Sequence, residues 1–143
     1  MTATYQQDQL TFQYPENWTL TDAPDESLPR AISLESPGGL LWSVHLHPTD
    51  ADPDEILDEA IDTLRETYPD LELSTESPEF DMFTGKAFGA LFFCLDFLVR
   101  VKLQVFRTSD YTLLLWYQCE DRDFDAQEMV FRAISTTLLQ SLN

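Results

Sequence analysis

The chain has 143 residues, 43% of them hydrophobic and 13% aromatic, which is enough for one domain with a substantial core and too apolar for a disordered chain. It carries 26 acidic residues against 8 basic ones, a formal net charge of −18. That balance repels phosphate backbones and anionic lipid, so neither nucleic acid nor a membrane is expected as a partner.

The charge is uneven. Met1 to Asp81 holds 19 acids and two bases, Arg30 and Arg65, whereas Met82 to Asn143 holds seven acids and six bases. A one-sided acidic surface keeps a protein in solution or steers a basic partner toward it. Met1 to Leu10 is polar, with no basic n-region and no apolar h-region, so no secretory leader is expected and a cytoplasmic location follows. Cys94 and Cys119 lie in apolar segments and read as reduced core thiols rather than a disulfide. The longest apolar run, Phe88 to Phe97, falls short of the ~20 residues that span a bilayer and reads as a buried strand.

In chain order, Gln9 to Tyr14 alternates with period two and predicts a strand that Pro15 ends. Trp18-Thr19-Leu20 begins another short extended piece. A loop with Asp22, Pro24, Asp25 and Pro29 separates it from a strand over Ala31 to Glu35. Pro37-Gly38-Gly39 is a turn, and Leu41 to His47 is the hairpin partner, with Trp42, Val44 and Leu46 on one face and Ser43, His45 and His47 on the other.

A helix follows. Asp52 is positioned as its cap, Pro53 as its first residue, and Glu55, three residues after the cap, completes a capping box. Leu57, Ala60, Ile61, Leu64 and Tyr68 form its apolar stripe. Asp54, Glu55, Asp58, Glu59, Asp62 and Glu66 cover the other side. After a short strand at Leu71 to Ser74, the segments Lys86 to Leu95, Leu98 to Arg107 and Tyr111 to Cys119 predict three long strands. Their tight links, near Asp96 and at Thr108-Ser109-Asp110, impose an antiparallel meander. Ala87 to Cys94 and Tyr111 to Tyr117 are apolar at both parities, which calls for cover on both faces. A second helix is expected from Asp125, with Phe124 stapled to Met129 and Val130, Ala133, Ile134, Thr137, Leu138 and Leu142 facing inward. The expected fold is therefore a single α+β domain over residues 1–143, an antiparallel β-sheet of about six strands covered by α-helices on both faces.

The heptad Phe12-Gln13-Tyr14-Pro15-Glu16-Asn17-Trp18 resembles the aromatic-x-Tyr-Pro-x-x-Trp opening of PsbP-like (Mog/PsbP-type) domains. Physically it is a strand, a proline that breaks it, and a Trp that folds back onto the sheet edge. The order of elements is similar as well, and Phe131-Arg132-Ala133-Ile134 up to Ser141-Leu142 resembles the family's closing helix. The resemblance implies a PsbP-like sandwich in a bacterial member. It brings no shared active site, and it includes relatives that serve as cytoplasmic chaperones for type VI secretion effectors.

Constellations with chemical potential are few. His45-Leu46-His47 places two imidazoles on one strand face near Asp50 and Asp52, yet no third ligand stands at a fixed spacing, so a structural role is expected and no metal or cofactor. Cys94 or Cys119 with either His would make a nucleophile–base pair, but both thiols lie in burial contexts that disfavour a thiolate. The chain is accordingly expected not to be an enzyme. Arg100, Lys102 and Gln104 line one face of a strand, and a turn at Ser109 would set Lys102 opposite Trp116 as a cation–π neighbour. These bases either neutralise acids of the covering helix or rim a groove. The candidate interaction surface is Trp116, Lys102 and Arg100 with Asp54, Asp58 and Asp62. The expected function is a non-catalytic protein-interaction domain, with a chaperone for a secreted or membrane effector and a small-ligand binder as alternatives. A homodimer is compatible with each.

Overall fold

The computed structural model describes residues 1–7, 10–22, 29–77 and 85–142. In chain order the elements are β1 (Thr2–Gln7), β2 (Leu10–Pro15), β3 (Thr19–Asp22), β4 (Arg30–Glu35), β5 (Leu41–Pro48), α1 (Pro53–Thr67), β6 (Glu72–Glu76), β7 (Gly85–Cys94), β8 (Phe97–Arg107), β9 (Tyr111–Glu120) and α2 (Asp121–Ser141). β1 and β2 pair as a separate ribbon, and the others form one seven-stranded sheet in the order β3-β4-β5-β9-β8-β7-β6. Every pairing in both sheets is antiparallel.

Nine strands thus stand among the described residues where about six were expected. β1 escapes sequence reading because Tyr5 is the one buried position in it. Gln9 and the loop residues Pro24 and Asp25 lie outside the described residues.

β9 lies inside the sheet, and its successive residues alternate between two cores. Leu113, Leu115 and Tyr117 pack with α2 and the β1–β2 ribbon, whereas Leu114 and Trp116 pack with α1. Val101, Leu103 and Val105 of β8 join the α1 core. This is how segments apolar at both parities find apolar neighbours.

α1 forms as its spacing predicts. Asp52 Oδ1 accepts the Asp54 N–H at 3.0 Å, Pro53 opens the first turn, and Ile56, Leu57, Ala60, Ile61 and Leu64 are buried. The cap thus takes the amide of Asp54 rather than that of Glu55.

α2 differs from expectation. It begins at Asp121, directly after β9, with Glu120 at the N-cap. Phe124 is fully buried beneath the Arg100 guanidinium, 4.5 Å from ring centre to Cζ, while Met129 is 79% exposed. There is therefore no staple between them. The inner face is Phe124, Phe131, Ile134, Ser135, Leu138 and Leu139, and Ala133 faces solvent. A start at Asp125 conceals this register, because Phe124 then falls before the helix instead of one heptad ahead of Phe131.

Polar groups inside the larger core are matched. Ser135 Oγ donates to the Phe131 carbonyl and accepts from Trp42 Nε1 at 3.0 Å. Its single proton is thereby committed, so the Tyr117 hydroxyl, 2.6 Å away, is the donor in their bond. Arg30 is buried and pairs with Asp22 at 2.7 Å, and Tyr5 hydrogen-bonds both. One of the two bases of the acidic half is thus consumed internally. Trp18 folds back after a Pro15 turn, but onto α2: it meets Phe131 edge-on at 6.3 Å rather than the sheet edge.

Candidate functional site

The sequence-derived surface residues do not come together. The register sets Lys102 opposite Tyr117 and Trp116 opposite Leu103. Lys102 and Trp116 therefore point to opposite faces, and the expected cation–π neighbourhood does not exist. Lys102 lies between Glu128 at 3.4 Å and Glu76 at 3.8 Å. Arg100 pairs with Glu76 at 3.3 Å and Asp125 at 3.5 Å. Both bases are engaged within the fold.

On the α1 side, Trp116 lines a shallow cleft of about 200 Å³ with His45, His47, Glu59 and Thr63. Burial holds both imidazoles below the ordinary histidine range, and the His47 charge adds to this at His45. Among the described residues, no group of three or more His, Cys, Asp or Glu is arranged to hold a metal ion. Asp54 pairs at the surface with Lys86 at 2.7 Å, and Asp58 and Asp62 are exposed along α1.

The cysteines are free and lie away from the histidines. Cys119 sits in the α2 core, where burial, reinforced by Asp123, pushes its thiol up to about 11. Cys94 ends β7, eight residues beyond Lys86, which shares a cross-strand row with Val105, Leu114 and His45. At roughly 3.3 Å per residue that is on the order of 26 Å. No Cys–His pair forms.

The most unusual surface lies where the sequence predicts burial. β7 and β8 pair up to Cys94↔Phe97, leaving Leu95-Asp96 as a two-residue turn. The strands outrun their cover. On the α1 face, where Phe97 points, the 15 residues of α1 span about 22 Å against about 36 Å for the 11 of β8; Phe93, paired with Leu98, points to the other face. At the overhanging end Phe93 is 69% exposed, Leu95 89% and Phe97 53%. Leu95 has φ 57, a left-handed conformation that costs a branched side chain about 1–2 kcal/mol.

Beside this tip is an open cleft of about 410 Å³ between the end of α1 and the hairpin, with Tyr68, Leu71, Leu91, Phe92 and Leu98 in its wall. Tyr68 stacks on Phe92 at 4.0 Å between ring centres, and its hydroxyl donates to Cys94 Sγ at 3.6 Å. Asp70 and Glu72 stand on the rim, and among the described residues no Lys or Arg lines the cleft. The sequence signal was present in the apolar run Phe88 to Phe97. Apolarity at both parities does not distinguish a strand covered along its whole length from one whose end is exposed.

A scan against protein-family models gives no match, and no curated protein matches the chain in sequence. Solved structures do match in fold. Cyanobacterial PsbP (CyanoP) from Synechocystis sp. PCC 6803 aligns with a TM-score of 0.67 at 14% identity, covering 95% of this chain and 90% of that one. A protein of unknown function from Pseudomonas aeruginosa aligns at 0.55 and 10% identity, covering 96% and 95%. LpqN, involved in cell envelope biogenesis of Mycobacterium tuberculosis, aligns at 0.49 and 17% identity, covering 87% and 79%. With the ribbon, the seven-stranded sheet and the two helices already described, the alignment to CyanoP over nearly the whole chain identifies the fold: it is PsbP-like.

Proposed function

We propose that this chain is a non-catalytic protein-interaction domain, acting in the cytoplasm, whose partner docks at the β7–β8 hairpin. The observation that carries this reading is the exposure of Leu95 in the two-residue turn together with Phe93 and Phe97 in the strand ends that flank it. Leaving a large apolar side chain in water forfeits about 1.5–3 kcal/mol relative to burying it. The turn adds the strain of Leu95, and such combinations persist where a surface is kept for binding.

The test is a pull-down from native lysate with the wild-type chain and a Phe93→Ser/Leu95→Ser variant, at low and moderate salt. The reading expects a protein that the wild type retains and the variant loses. Identical retention by both would count decisively against it.

A second reading, a chaperone for a secreted or membrane effector, draws on the same apolar tip beside a strongly acidic body, since that pairing suits holding an apolar client in solution. It expects the chain to keep an aggregation-prone client soluble in a light-scattering assay, and no protection would exclude it.

A further inference from the structure

The cleft beside the tip has a chemical character that selects among occupants. Its wall is apolar, its rim carries Asp70 and Glu72, and among the described residues no base lines it. The segment leading into it, residues 65–72, holds Arg65 against Glu66, Asp70 and Glu72, and the turn adds Asp96. The nearest base on the sheet, Arg100, is held by Glu76 and Asp125. The local field is therefore negative around an apolar floor.

Three occupants can be weighed on charge. A second copy of this chain would bring another formal charge of −18 against the first, and like-charge juxtaposition costs several kcal/mol at an interface. An anionic lipid surface meets the same repulsion, unrelieved by any basic cluster at the tip. A basic segment with apolar anchors gains on both terms: its apolar residues enter the cleft and its cations meet the rim. The volume, about 410 Å³, falls within the roughly 300–1,000 Å³ of ligand-binding clefts.

We infer that the cleft between the end of α1 and the β7–β8 tip is the docking site for a short basic peptide segment of a partner protein, with apolar side chains against Phe92, Phe93 and Leu98 and Lys or Arg side chains against Asp70 and Glu72. The inference rests on the interaction-domain reading and specifies its site and partner chemistry.

The test uses the full chain with defined probes: a short fluorescein-labelled leucine–lysine peptide, a leucine–glutamate peptide of the same pattern, and vesicles of anionic and of zwitterionic lipid. Fluorescence anisotropy should show binding of the lysine peptide only, weakening at least roughly tenfold between about 50 and 300 mM salt. Phe93→Ser/Leu95→Ser should weaken it at least about tenfold. Asp70→Lys/Glu72→Lys should abolish the salt dependence, while Asp58→Asn/Asp62→Asn on the outer face of α1 should leave binding unchanged. All these positions except Glu72 and Phe93 lie outside strands, and far-ultraviolet circular dichroism checks the fold of each variant.

Equal binding of both peptides, loss of binding on neutralising Asp58 and Asp62, uptake on vesicles, or self-association abolished by the tip variant would each overturn the inference. The broader reading fails separately. If a lysate partner is lost with Phe93→Ser/Leu95→Ser but kept with Asp70→Lys/Glu72→Lys, the interaction domain stands and the basic-peptide assignment falls.

Discussion

A methyl group on Gly89 would stand 2.5 Å from Oε1 of Glu76. Glu76 lies at the end of the edge strand β6, and its carboxylate crosses β7 above Gly89 to reach both Arg100 and Lys102 on β8. The absent side chain is what allows the carboxylate to reach across. Gly89→Ala should therefore lower stability by about 1–3 kcal/mol, because Glu76 must leave its pairs or the strands must shift. Urea denaturation of Gly89→Ala, Glu76→Ala and the double variant checks the origin: if the carboxylate is responsible, the two losses are clearly less than additive.

Leu95 poses the opposite expectation. Leu95→Gly removes the penalty of φ 57, about 1–2 kcal/mol, at an entropic cost of about 0.5–1 kcal/mol in the unfolded chain. The first effect is larger, so the variant should be more stable by up to about 1.5 kcal/mol, seen as a higher thermal midpoint. It should also bind its partner more weakly. A variant that loses stability would show that the leucine is not strained.

Ser135 holds three partners within the larger core. Ser135→Ala removes the acceptor of the buried Trp42 N–H and one partner of Tyr117, and should cost about 1–3 kcal/mol. Chemical denaturation followed by Trp fluorescence measures it, and a loss within error of zero would mean the indole finds another acceptor.

Two acid-sensitive windows follow from the titrating groups. Burial holds His45 and His47 below their ordinary 6.5, while Glu59 draws His47 partly back. The unfolded chain then binds more protons as pH falls below about 6.5, so stability declines from there down to the folded values. Urea midpoints between about pH 5 and 7.5 should show this slope, and His45→Gln should flatten it. At Asp22, burial pushes the carboxyl up, but hydrogen bonds from Arg30 and Tyr5 and the Arg30 charge hold it below 3.8 overall. Its contribution is present above that value and fades as pH falls through the lower folded one. Asp22→Asn should remove the lower window and leave the upper one unchanged.

The fold was legible where spacing carries one meaning. The Asp52-Pro53 start of α1, the Gly38-Gly39 turn, the β7–β9 meander and the facing of Arg100, Lys102 and Gln104 follow from local chemistry. Where one pattern fits two structures, only contacts across the chain decide between them. The sequence points to a start at Asp125, whereas α2 begins at Asp121 after Glu120, with Phe124 packed beneath Arg100 in a contact across the chain. The Lys102–Trp116 relation turned on a register of one residue, which exchanges faces. The candidate site was hidden because no local pattern records how far the covering helices reach along a strand.

The sheet order also bears on how the molecule comes to exist. β6 to β9 pair with their neighbours in sequence, whereas β5 reaches β9 across α1 and the entire meander, as in His47↔Thr112. Trp42, Val44 and Leu46 enter the larger core only when that loop has closed, and its entropy must be met before those contacts return anything. The hairpin that ends in Leu95 belongs wholly to the sequence-local part. Before β5 docks, a nascent or partly folded chain presents this apolar turn together with the uncovered face that Trp42, Val44 and Leu46 later close, which makes that interval the period of greatest exposure to self-adhesion.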